Sequence, residues 1–194
     1  MRCPYCRTPL AETSEECSYC NLSLQSANAL MGPVPGLTPG LNDTLCVFNK
    51  KSRHQITKAL ARLNHRFPQV SMHIITRDFN PKYSISTHLF WLFNQDIFST
   101  SNHPGGKNHS ILLGLDTSQQ QAGIIVGYGL EPFLAQKSLD HVLEKAQASL
   151  SQSAYGEAIL TIIDQIYKLM EEVCNDLNEL LDLEDKIIYQ QTEN

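Results

Sequence analysis

Four cysteines near the start of the chain constrain its folding more than any other feature. Cys3, Cys6, Cys17 and Cys20 are spaced C-x2-C-x10-C-x2-C, within two near-copies of one phrase, "CPYCRTPL" and "CSYCNLSL", offset by fourteen residues. A C-x2-C turn lets two sulfurs converge from one tight loop, and two such turns supply the four thiolates of a closed tetrahedral zinc site. Each half performs the same task, which accounts for the repeat. Metal binding provides most of the folding free energy of a unit this small. Tyr5, Leu10, Tyr19 and Leu24 recur at matching places and are expected to form what core it has. A redox C-x2-C would use one pair beside a βαβ unit. Iron in a rubredoxin-like centre uses the same ligands and stays open. Cys46 and Cys174 are distant, and ordinary unpaired thiols are expected there.

The remaining composition is that of a soluble folded protein, with 42% hydrophobic and 18% charged residues. The start "MRCPYC" lacks the apolar stretch of a secretory signal, and no segment approaches the roughly 20 apolar residues that span a bilayer. The expected compartment is the cytoplasm, where paired cysteines hold metal more often than disulfides. Net charge is −5, and residues 171–194 hold eight acids and one lysine, so the rest is slightly basic. Nucleic-acid binding is not expected, because phosphate contacts need clustered Lys and Arg. The one basic cluster, Lys50, Lys51, Arg53 and Lys58, reads as a solvated helix face.

The expected organisation is a zinc ribbon at 1–25, a linker at 26–41, an α/β domain at 42–170 and an acidic helical extension at 171–194. The linker "SANALMGPVPGLTPGL" has three prolines, three glycines and no charge, and reads as extended chain lying along the domain. In the domain, helical and strand periodicities alternate. Ile56, Ala59, Leu60, Leu63 and Phe67 mark a helix stopped by Pro68. Residues 70–77 read as a strand. Ile85, Leu89, Phe90, Leu92 and Phe93 mark a second helix, capped by Ser84 or Ser86. "SILLGLD" and "QAGIIVGYG" read as an antiparallel strand pair joined by "TSQQ". A third helix is expected from Glu131 to Leu150, with Pro132 near its start. The fold class is α/β, a mixed sheet flanked by helices.

A long helix closes the chain, its apolar stripe running from Ile159 through Leu177, Leu180 and Leu181 to Ile188. Only its first half is needed to close the domain. The acidic remainder is expected to bury its stripe against its own domain, the zinc unit, a protein partner or a second copy in a homodimer.

The stretch "ILLGLDTSQQQAGIIVGYGLEPFL", residues 111–134, resembles the core motif of the TPM domain family, named for thylakoid-lumen, photosystem-repair and nematode receptor-modulator members. In that family a strand ending in an acid turns into a second strand that finishes G-Y-G-L-E. The resemblance extends over roughly residues 37–170. It implies a helix-flanked sheet and, for some members, Ca2+ in an acidic cleft and a weak acid phosphatase activity. Carried over, the cleft residues are Asp43, Asp116 and Glu131. Asp116 and Glu131 bracket a hairpin, so their carboxylates are expected at one edge. In "GKNHS", Lys107 stands where the family carries an acid and His109 where it carries Gly. Two function classes follow: a non-enzymatic adaptor working through protein–protein assembly, or a metal-dependent phosphatase. A zinc-ribbon reader of nucleic acid is a third.

Overall fold

The computed structural model describes residues 3, 5, 6, 8–11, 14–31, 34–95 and 105–192, with backbone alone for Leu24 and residues 177–192. The elements are α1 (Leu24–Met31), β1 (Leu41–Asp43), α2 (Lys50–Arg66), β2 (Ser71–Thr76), α3 (Ile85–Phe93), β3 (Ser110–Asp116), β4 (Gln121–Val126), α4 (Gln136–Ser151) and α5 (Tyr155–Thr192). A single 3-10 turn, Lys107–His109, leads into β3.

One four-stranded sheet, in the order β1-β2-β3-β4, organises the molecule. The first three strands are parallel and β4 returns antiparallel through the 117–120 turn. Every residue of β2 and β3 is buried, the mark of strands covered on both faces. Their alternate side chains divide between two cores. Met72, Ile74, Ile111, Leu113 and Leu115 face α2, α4 and α5. Ile75 and Leu112 face α3 and α1. Thus α2, between β1 and β2, and α3, between β2 and β3, lie on opposite faces. The two crossovers step the same way across the sheet, so they differ in hand, an exception to the usual right-handed preference.

Local chemistry sets the helix ends. Asn49 caps α2 by accepting from Ser52 N, and Ser84 caps α3 by accepting from Thr87 N. The register pair Gly114 and Gly123 forms a flat seat for α3: a Cβ on Gly114 would lie 2.5 Å from Leu89 Cδ2. Because α3 is nearly all buried, it sits in the middle of the second layer and not at its surface.

Three segments differ from expectation. Residues 41–43, expected at the end of the linker and the start of the domain, form the edge strand β1. The first residues of the expected linker are helical, because no Gly or Pro occurs before Gly32. Ser23 Oγ accepts from Ser26 N at 3.1 Å, and Ser23 N donates to Ser26 Oγ at 2.9 Å, a reciprocal cap for α1. Ala27 and Met31, one turn apart, are buried in the second core. Asn28 Oδ1 accepts from Trp91 Nε1 at 2.6 Å and from Gln95 Nε2 at 2.8 Å, tying α1 to α3. Likewise α4 starts at Gln136 and not at Glu131. Residues 127–134 instead form successive turns, with Leu130 N bonded to Gly127 O and Leu134 N to Leu130 O, so that Leu130 and Leu134 enter the first core. Ala135 is extended and ends that run.

α5 is one continuous helix of 38 residues. It runs from the β3–β4 turn, where Tyr155 OH donates to Thr117 O at 3.2 Å, to Met170 beside the opposite sheet edge. The 22 residues from Glu171 to Thr192 continue it by about 33 Å. Among the described residues no helix is long and apolar enough to cross a membrane.

Replacing Asn28 with Ala leaves a buried indole N–H without its acceptor, at an expected cost of about 1–3 kcal/mol. Urea unfolding followed by the emission of Trp91, the one tryptophan, reads this directly. An unchanged midpoint would show that α1 does not brace α3.

Candidate functional site

The four cysteines of the repeat converge. All four Sγ atoms lie within 4.8 Å of one another, with Cys3–Cys20 and Cys6–Cys17 each at 3.6 Å. A tetrahedron with metal–sulfur bonds of about 2.3 Å has edges of about 3.8 Å, so the spacing suits four thiolates around one metal ion. It is too long for disulfides, and all six cysteines are free. The halves are built alike: Cys3 N donates to Thr8 O and Cys17 N to Leu22 O, each at 2.9 Å. Cys3 and Cys17 are buried, while Cys6 and Cys20 reach the surface.

The protein environment does not favour ionising all four sulfurs unaided. Side-chain and backbone hydrogen bonds of Thr8 bring Cys6 down to about 6. Burial, with the neighbouring thiols, pushes Cys20 up to about 12, and burial also raises Cys3. A divalent cation at the centre removes that conflict. The tyrosines do not join the expected core of this unit: Tyr19 is 77% exposed, and Tyr5 turns outward to lie 6.2 Å from Tyr83 of the domain. Leu10 is half-buried, and the side chain of Leu24 lies outside the described residues. Cys46 is exposed and Cys174 half-buried, both apart from the cluster.

The three carboxylates are not brought together. Asp43 and Asp116 end β1 and β3 at the C-terminal edge of the parallel strands. Glu131 follows β4, whose Val126 pairs with Ile111 at the other edge, while Asp116 pairs with Gln121 at the turn. Seven β3 residues separate the two edges, so Glu131 and Asp116 cannot meet. Asp43 and Asp116 point to opposite faces: Asp43 is in register with Thr76 and Thr76 with Leu115, on the α2 face, whereas Asp116 alternates to the α3 face.

Each of these two is already fully engaged by protein donors. Asp43 accepts from Val47 N, Phe48 N and Thr76 Oγ1, and pairs with Arg53 at 2.6 Å with its own side chain wholly buried. Asp116 accepts from Phe79 N, Ser118 N, Ser118 Oγ, Gln119 N and Gln119 Nε2. These carboxylates close loops. A Ca2+ ion needs six to eight oxygens on one centre, and these residues do not fit one. Among the described residues the four cysteines are the only convergent set of three or more His, Cys, Asp and Glu ligands. Arg53, expected on a solvated face, is instead the partner of Asp43. Lying ten residues further on, it gave no spacing signal.

The "GYG" run has a structural explanation at the opposite edge. Gly127 N donates to Ser110 O at 2.9 Å and Gly129 N to Asn108 O at 3.0 Å, clasping the turn that opens β3. A Cβ on Gly127 would fall 2.4 Å from both Lys107 O and Asn108 O, so only glycine allows this approach. A buried polar chain lies beside it: His73 Nε2 to Ser71 Oγ at 3.3 Å, then Ser71 Oγ to Ser110 Oγ at 2.8 Å. Glu131 is exposed beside this clasp.

Fold and site together define an α/β protein with a mixed sheet covered on both faces and an appended cluster of four cysteines spaced to hold a metal ion. The sequence model described as TPM domain matches residues 41–169, two thirds of the chain, and the chain belongs to the TPM domain family. A solved structure, the N-terminal domain of a protein from P. gingivalis, is similar at 15% identity with a TM-score of 0.51, covering 68% of this chain and 82% of that one. The N-terminal domain of a Corynebacterium glutamicum protein, also solved by NMR, covers 71% and 84% at 14% identity with a TM-score of 0.46. At 15% identity the P. gingivalis likeness shows the fold alone. No curated protein matches the sequence.

Gly127→Ala is expected to destabilise the fold by about 2 kcal/mol or more, because two carbonyls must move. Gly36→Ala, where nothing lies within 4 Å, should be near neutral. Equal unfolding midpoints for the two variants would show that the clasp is not tight.

Proposed function

We propose that the chain is a non-enzymatic adaptor of the cytoplasm, in which a zinc clip braces a TPM domain and the distal part of α5 recruits a protein partner. The observation that carries this reading is α5 itself. Met170 is its last buried residue among those whose side chains are described, which end at Asp176, and the helix backbone continues to Thr192 with Leu177, Leu180, Leu181, Ile187 and Ile188 in its sequence. Only the first half of so long a helix is needed to close the domain, and we read the apolar stripe of the rest as the face a second molecule covers. A second copy of the chain is the simplest partner, forming a helical pair. Eight acids against one lysine over residues 171–194 disfavour nucleic acid there and make self-pairing easier as salt rises.

Zinc is the proposed metal, because four thiolates in a closed set suit a structural d10 ion. The engagement of Asp43 and Asp116 with protein donors supports the adaptor over a Ca2+- or Mg2+-dependent phosphatase.

Metal analysis after gentle purification should give about one zinc per chain, lost in Cys17→Ser. A clearly lower content would count against the four-thiolate site. Sedimentation equilibrium should give a mass above the 21.8 kDa monomer that rises with salt, and a monomer for Leu180→Asp with Leu181→Asp. A strict monomer at every concentration and salt removes self-pairing. Metal-dependent phosphomonoester turnover, abolished in Asp116→Asn while the fold persists, would overturn the adaptor reading altogether.

A further inference from the structure

Arg77 follows β2 at the edge where the parallel strands end, and its backbone N–H donates to Leu115 O at 3.0 Å. Its Nη1 is buried and, among the described residues, is the one buried side-chain nitrogen or oxygen without a hydrogen-bond partner. Folded chains rarely leave such an atom unmatched. Arg77 is one of the residues around a cavity of about 270 Å³, with Asp78, Asn80, His88, Phe79, Leu30 and Met31, and its Nη1 lies behind that wall. The cavity lies outside the carboxyl ends of the parallel strands, the side on which open α/β sheets bind ligands, although the strand order here has no reversal.

The charges around the cavity select the ligand. His88 is held neutral by burial, and its Nε2–H donates to Asn80 O at 3.1 Å. Asp78 also lines the cavity, and Asp116 lies behind Phe79, whose N–H it accepts. With two carboxylates beside one cation, a doubly charged anion such as phosphate is disfavoured more strongly than a singly charged one. A carboxylate matches the planar fork of a guanidinium. Leu30, Met31 and Phe79 offer an apolar wall for a short hydrocarbon tail.

We propose that this cavity binds a small monocarboxylate, its carboxylate on Arg77 and its tail against Leu30, Met31 and Phe79. The site is composite, since Leu30 and Met31 belong to α1 and lie outside the residues matched by the TPM domain. It does not depend on the adaptor reading, and binding here is measured independently of assembly.

The test is an NMR titration of the full zinc-loaded chain with butyrate, and separately with inorganic phosphate. Butyrate should shift the Arg77 side-chain NH and the Met31 methyl saturably, with phosphate weaker. N-acetyl-alanyl-alanine, with a free carboxylate, separates the sources. Tighter binding of that peptide assigns a chain terminus as the natural bearer of the group, and tighter binding of butyrate a free acid. Arg77→Met should weaken butyrate by at least about tenfold while the Trp91 indole resonance stays in place. Should that variant fail to fold, Leu30→Asp at the exposed rim should also weaken butyrate about tenfold by like-charge repulsion. The proposal is overturned if butyrate gives no saturable shift, which would leave Arg77 matched by water. Phosphate binding more tightly, or butyrate binding equally well to both variants, overturns it as well.

Discussion

A largely parallel sheet must be covered on both faces, and this requirement shapes the whole chain. The first face has three helices, α2, α4 and α5. The second has only α3, nine residues long, and is completed by α1. Burying a side chain such as Met31 contributes about 1.5–3 kcal/mol, and the bond from Trp91 to Asn28 fixes where α1 sits. Only three residues lie between Cys20 and the start of α1. The four-cysteine unit thus leads directly into a helix that the sheet needs.

The two sheet edges solve different problems. At the C-terminal edge, chain direction must change after three neighbouring strands, and buried carboxylates do this by collecting backbone N–H groups. Asp43 folds the exit of β1 into α2, with Arg53 balancing its charge, and Asp116 shapes the turn into β4. At the N-terminal edge the work is done by backbone, through the clasp of Gly127 and Gly129 on residues 108–110. Acids that the family resemblance assigns to an ion thus serve here as loop closures.

Unlike β1, three residues long and too short to show a period, the cysteine cluster, β2, β3, β4 and the α/β alternation were legible because each depends on spacing or periodicity. α1 was not, because the prolines and glycines of residues 32–40 dominated the reading of a segment whose first six residues contain neither. Glu131 and Pro132 read as a helix start by composition, yet Leu130 and Leu134 are held by burial into turns that composition does not show. The grouping of three acids failed for two further reasons. Glu131 follows β4, whose antiparallel course carries the chain to the far end of β3. Asp43 and Asp116 share an edge but differ in pleat phase, a property set by strand register and not by either residue's neighbours.

The direction of α5 separates the surfaces that remain to interact. The helix begins beside the β3–β4 turn and reaches Phe67 and Val70 at the N-terminal edge with Met170, Val173 and Cys174. The Arg77 cavity and the wall that α1 gives it lie at the C-terminal edge, on the other face. A partner covering distal α5 therefore leaves the cavity open. Any influence of one on the other has to pass through the sheet, by way of β2, which carries Arg77 at its end and Ile74 against the α5 layer. Such packing is stiff, with every β2 residue buried, and a close-packed strand transmits strain, so β2 is the element through which the two surfaces would be coupled.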